Sequence, residues 1–168
     1  MESIFSNKLL KPKEKTEQLC ELLMNHSISI DELVAFAKES KDPVKATCIE
    51  AIEFATKSNP KMANKNVFEF SISNLSAKAP RVKWESAKVI ANTANLFPEL
   101  IEPAINALLK NTEHEGTVVR WSAALALSEI YKLNTKFNKD LATIFDGLVE
   151  REEKNSIKKM YLVAYSKY

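Results

Sequence analysis

Four short segments recur along the chain at nearly constant intervals: Val44-Lys45-Ala46, Val82-Lys83-Trp84, Val119-Arg120-Trp121 and Ile157-Lys158-Lys159, at successive spacings of 38, 37 and 38 residues. An aliphatic residue followed by a base, repeated four times in register, is the mark of a repeat architecture. In such a fold each unit is one supersecondary element that buries its apolar face only against its neighbours.

Each segment opens a helix-period stripe. In the third copy Val119, Ala123, Ala126, Leu127 and Ile130 fall at i, i+4, i+7, i+8 and i+11, one face of an α-helix. Thr117 is placed to cap this helix and Gly116 to supply the bend before it. Val44, Cys48, Ala51, Ile52 and Ala55 take the same offsets in the first copy, with Pro43 in the first turn, where a missing N–H costs nothing. The second copy reads Val82, Ser86, Val89, Ile90 and Thr93; the fourth reads Ile157, Tyr161, Ala164, Tyr165 and Tyr168.

A further amphipathic helix is expected ahead of each stripe, over 31–39, 63–76, 98–111 and 139–150, with turns between them. Ser29 and Glu32 have capping-box spacing. Pro60 and Pro98 stand at matching turns, as do Pro43 and Pro80. Residues 67–73 alternate like a strand, but Phe68, Ile72 and Leu75 also fit a helical stripe and the repeat requires a helix there. The expected fold is all-α, a solenoid of about four helical hairpins, because a lone amphipathic pair cannot bury its own face. The expected units are an N-terminal cap (1–28) and repeats at 29–58, 59–96, 97–133 and 134–168 of a single domain.

Composition removes most other readings. Gly116 and Gly147 are the only glycines in 168 residues, too few for glycine-rich phosphate cradles, dinucleotide fingerprints or glycine-dependent hairpins. The formal charge of +2 lacks the basic excess of a protein that coats nucleic acid. No apolar run approaches the ~18 residues of a membrane span, and residues 1–11 lack a signal-peptide pattern, so a cytoplasmic protein is expected. Cys20 and Cys48 form neither a CxxC pair nor a disulfide framework.

The pattern resembles HEAT repeats, of the armadillo-like α-solenoid family, whose second helix typically opens with Asp-x-Val-Arg followed by spaced alanines and a leucine. The run from Val119 to Leu127 matches closely, with Thr117 in place of the opening aspartate; Asp42, Pro43, Val44 and Lys45 match the opening with lysine for arginine. Pro80 and Ser86 depart from the pattern in the second copy, and Asn155, Lys158 and the tyrosines in the fourth. The resemblance spans roughly residues 29–168. It implies a scaffold for binding macromolecules and is almost silent on activity.

Two sets of residues are candidates for contact with a partner. Lys45, Lys83, Arg120 and Lys158 form a column, one base per repeat, suited to an acidic peptide or a phosphate backbone. The plainer alternative is a base at a helix start that satisfies an aspartate, such as Asp42 or Asp146, or a turn carbonyl. Trp84 and Trp121 share one repeat position and could form an aromatic platform, or could pack into the seam between repeats. Ala46 and Lys159 hold the equivalent sites.

His114, between Glu113 and Glu115, lacks further ligands for a metal and reads as a solvated loop side chain. No spacing suggests a nucleophile elbow or a triad. No cofactor and no metal are expected. The leading functional reading is a non-catalytic, protein-binding scaffold whose contacts are Lys45, Lys83, Trp84, Arg120, Trp121 and Lys158. Nucleic acid ranks behind a protein or peptide, and no membrane contact is expected. The alternative is a small relative of the HEAT-like DNA glycosylases that excise alkylated bases, which would need Glu85 as its acid. Tyr161, Leu162, Val163 and Tyr165 cluster on the last helix, which makes it a candidate surface for self-association.

Overall fold

The computed structural model describes residues 1–166, with side chains described to residue 164. Among the described residues there is no strand, and ten α-helices follow one another: α1 (Glu2–Ser6), α2 (Pro12–Met24), α3 (Ile30–Glu39), α4 (Asp42–Ser58), α5 (Lys65–Asn74), α6 (Pro80–Thr93), α7 (Ile101–Asn111), α8 (Thr117–Tyr131), α9 (Asn138–Arg151) and α10 (Asn155–Ser166). Single 3-10 turns occupy Pro60–Met62, Ala94–Leu96 and Pro98–Leu100.

Local chemistry fixes most of the helix starts. The Glu32 N–H donates to Ser29 Oγ at 3.1 Å while the Glu32 carboxylate accepts from the Ser29 N–H at 2.7 Å, the expected capping box. Asn64 caps α5 by accepting from the Val67 N–H at 3.0 Å, so this helix starts two residues later than the stripe suggested. Prolines stand in the first turns of α2, α4 and α6. The turns after α2 and α8 close with His26 and Asn134 in the left-handed region, at φ 60° and 51°.

Two expectations at the start of α8 need correction. Thr117 is the first helical residue, and Gly116 holds the cap position with no side-chain cap. Gly116 has φ −75°, which any residue adopts, so no bend there needs glycine's freedom. The missing Cβ instead makes room for the His114 ring, whose Nδ1 accepts the Gly116 N–H at 2.9 Å; a Cβ would stand 3.1 Å from that nitrogen. His114 is therefore half-buried and braces the loop, where a solvated side chain was expected.

The second helices lie side by side in chain order, α2 on α4, α4 on α6, α6 on α8 and α8 on α10. The first helices pack behind them, α3 on α4, α5 on α6, α7 on α8 and α9 on α10. Helix α1 sits beside α2, and its Phe5 stacks on Phe36 of α3 with centroids 5.6 Å apart. Of the residues that open the stripes, Val82, Val119 and Ile157 are buried and Val44 is half-buried; Cys48, Ile52, Ile90, Leu127 and Tyr161 behind them are fully buried.

Two apolar cores result. Val67 and Phe70 of α5, with Val82 and Val89 of α6, join the N-terminal core; Phe68 and Leu75, with Ala87 and Ile90, join the C-terminal one. This explains the strand-like alternation of residues 67–73: α5 is apolar on two faces because it lies between two cores.

On α10 the tyrosine cluster needs correction as well. The Tyr161 ring is buried and lies 4.8 Å from Phe145, which lies 5.4 Å from Tyr131, so Tyr161 belongs to the core. Leu162 and Val163 remain exposed. The Tyr165 side chain and Tyr168 lie outside the described residues.

Candidate functional site

The two central members of the basic column are turned into the fold. Lys83 Nζ donates to the Leu75 carbonyl and to Asn111 Oδ1, each at 3.0 Å, and Asn111 Nδ2 also donates to the Leu75 carbonyl at 3.1 Å. Burial holds the Lys83 ammonium below its usual pKa. Arg120, one repeat later, does the same work. Its Nη1 donates to the His114 and Glu115 carbonyls at 2.9 Å, while Nε and Nη2 reach the Glu152 carboxylate at 2.9 and 3.2 Å.

Burial opposes charge on Glu152, but the Arg120 guanidinium and the N–H groups of Glu153 and Lys154 outweigh it and hold the carboxyl below its ordinary range. Lys83 thus ties the end of α5 to the end of α7, and Arg120 ties the turn after α7 to the end of α9. Of the partners suggested by sequence, the turn carbonyls take part for both bases, and neither Asp42 nor Asp146 does. Lys45 and Lys158 are half-buried, and their ammonium groups make no ion pair among the described residues.

A charged seam runs between α4 and α6. Lys88 Nζ lies 3.2 Å from Glu53 Oε2 and 3.0 Å from Glu85 Oε2, and both carboxylates are buried. Glu53 Oε2 makes this ion pair without an aligned hydrogen bond. Glu85 Oε1 accepts the Trp84 indole N–H at 2.7 Å. Burial raises the Glu85 pKa despite Lys88. Burial also opposes charge on Lys88, but Glu85 and Glu53 outweigh it and raise its pKa. Above this group Glu50 accepts from Arg81 and from Thr16 of α2, both at 2.7 Å. From sequence, Glu50, Glu53 and Glu85 say only that the face of the second helices is mixed and not basic. The available signal was Glu50, Glu53, Arg81, Glu85 and Lys88 lying three or four apart on adjoining helices, beside the apolar stripes.

Trp84 and Trp121 are both half-buried, at one repeat position on adjoining helices, and Trp121 packs against the C-terminal core. Phe54 of α4 is exposed, with Lys88 Nζ 5.9 Å from its ring centroid. Phe54, Lys88, Glu85 and Trp84 therefore form one connected surface group. Of the positions equivalent to Trp84, Ala46 is buried and Lys159 is exposed.

A pocket of about 360 Å³ opens near the start of α10, lined by His114, Arg120, Arg151, Glu152 and Tyr161. Its bases are already matched, Arg120 to Glu152 and Arg151 to Glu113 at 2.9 Å. Among the described residues no group of three or more His, Cys, Asp or Glu side chains could hold a metal, and no helix is long and apolar enough to cross a membrane.

The chain matches no family model and no curated protein sequence. Among solved structures it is similar to a crystal structure of an engineered protein from the Northeast Structural Genomics Consortium. The TM-score is 0.67 and the identity 15%, over 96% of this chain and 75% of that one. At that identity the likeness concerns the fold alone.

Proposed function

We propose that the chain is a non-catalytic scaffold, a HEAT-like α-solenoid that holds a protein or peptide partner against its row of second helices. The observation that carries this reading is the set of rings left partly in solvent on three successive helices of the row: Phe54, Trp84 and Trp121. The charges beside them are spent within the fold, so the aromatic surface is what remains to bind. Large amphipathic rings on a rigid support give contact area at low entropic cost. In this reading Trp84 and Trp121 are the central contacts. Lys45 and Lys158 flank them, and Lys83 and Arg120 hold the helices that present them. A cytoplasmic setting fits, with Cys20 and Cys48 as free thiols.

The test is partner capture by the intact chain and by Trp84→Ala/Trp121→Ala. Loss of capture with unchanged helical circular dichroism supports the platform; retained capture, or a collapsed fold, overturns it.

One feature favours the alternative of a nucleic-acid-directed enzyme: Glu85 is a buried carboxyl with a raised pKa, bonded to a half-exposed indole. A gel-shift titration with duplex DNA at low salt, where phosphate contacts are strongest, decides it. No shift removes this alternative.

A further inference from the structure

Every second helix inside the row covers the one before it. Ile49, Ala87, Ala124 and Leu162 stand at one repeat position, at spacings of 38, 37 and 38 residues. Ile49, Ala87 and Ala124 are 1%, 1% and 0% exposed, buried where the next helix of the row begins, whereas Leu162 is 48% exposed. Its neighbour Val163 is 46% exposed. On α10, Ile157, Tyr161 and Ala164 are buried, and Lys159, Leu162 and Val163 lie on the other side of the helix.

The first helix of the row mirrors this arrangement. Thr16, Leu19 and Leu23 of α2 are buried. Gln18, Glu21, Leu22 and Asn25, on its opposite side, line an open groove of about 400 Å³ with Met1, Ser3 and Ile4 of α1. Leu9 and Met24 are exposed near this end, at 91% and 45%. Of the six large hydrophobics that are exposed among the described residues, four therefore lie at the two ends of the row; only Phe54 and Val118 do not.

The charges distinguish the ways in which two ends could meet. The open side of α10 carries Lys159, with Lys158 beside it; that of α2 carries an acidic excess, Glu14, Glu17 and Glu21 against Lys13, which lies 3.6 Å from Glu17. Two C-terminal ends facing each other would set lysine against lysine, and two N-terminal ends glutamate against glutamate. A C-terminal end on an N-terminal end sets lysine against glutamate.

We infer that a second copy of this chain docks head to tail, with Leu162 and Val163 of one copy seated in the α1–α2 groove of the next and Lys158 and Lys159 facing Glu17 and Glu21. The contact continues the row of second helices across the molecular boundary. It is heterologous, so it propagates beyond a dimer. It is independent of the partner-binding reading above.

Sedimentation of the intact chain up to about 1 mM, the weak end of specific association, tests the inference. The mean mass is expected to rise with concentration past that of a dimer. Leu162→Glu, at an exposed position, and the double variant Glu17→Lys/Glu21→Lys should each raise the apparent dissociation constant at least about tenfold, by placing a charge in an apolar contact or like charges in apposition. Mixed together, the two variants should form a dimer that grows no further, since one keeps its N-terminal face and the other its C-terminal face. Circular dichroism of each variant checks that it is folded. A wild-type chain that stays monomeric overturns the inference. So does association that stops at a dimer untouched by the N-terminal variant, or a mixture that remains monomeric.

Discussion

The junctions of α4 with α6 and of α6 with α8 occupy equivalent places in the row, yet the first adds buried charge to its apolar packing. Across the first lie Glu50, Glu53, Arg81, Glu85 and Lys88, two of whose carboxylates are buried around one ammonium. At the second lie Ala87, Ile90 and Ala94, each no more than 2% exposed. Small side chains let helix axes approach closely and are intolerant of added volume. Buried ion pairs add little net stability but are very sensitive to the loss of one partner, because the survivor is left charged and dry. One helix, α6, serves both kinds of contact on its two sides.

The largest effect expected is at the charged junction. Lys88→Met leaves Glu53 and Glu85 buried without their cation and should cost about 3–5 kcal/mol in chemical unfolding. Acidification should recover part of this loss, since protonated carboxyls need no cation; a loss that is flat with pH would argue that packing, not charge, holds the junction. Ala87→Leu, at the small-residue junction, should cost about 1–3 kcal/mol through overpacking, with no such pH dependence.

The clamps come next. Lys83→Met removes a donor from the Leu75 carbonyl and from Asn111, and should cost about 1 kcal/mol because Asn111 Nδ2 still serves that carbonyl. The Arg120 clamp has a pH signature. The Glu152 pKa lies below its ordinary 4.5 in the fold, so its contribution is fully present above that value and is lost as pH falls through the folded one. Unfolding of Glu152→Gln between pH 6 and 3, spanning the ordinary carboxylate range, should show a shallower acid limb than the wild type; an unchanged slope would remove Glu152 from the acid response. The smallest effect is expected at the surface. Phe54→Ser should change stability by less than about 1 kcal/mol in a thermal melt, since the residue is already 38% exposed.

The helical class, the order of helix pairs and most of the buried stripe were legible in the sequence, because spacing reports which residues share a face. Ser29 with Glu32, and the prolines at the helix starts, marked boundaries through local chemistry that needs no tertiary context. What spacing could not report is reach across repeats. Lys83 meets Asn111, 28 residues on, and Arg120 meets Glu152, 32 residues on. Spacing alone does not separate these partners from Asp42 and Asp146. Tyr161 fell both in the fourth stripe and in the aromatic cluster, and nothing local shows that Phe145 of the preceding helix lies against it. The seam of Glu53, Lys88 and Glu85 was hidden because charged residues on a helix ordinarily mark its wet side.

The hairpin of α5 and α6 is a wall common to both apolar cores, and this governs how the molecule comes apart. Neither half can melt while the other keeps its lining intact, so the two should unfold as one cooperative unit and not as beads on a string. Amide protons of α5 and α6 are then the last to exchange with solvent, and a cut placed between these helices dissolves both ends of the protein at once.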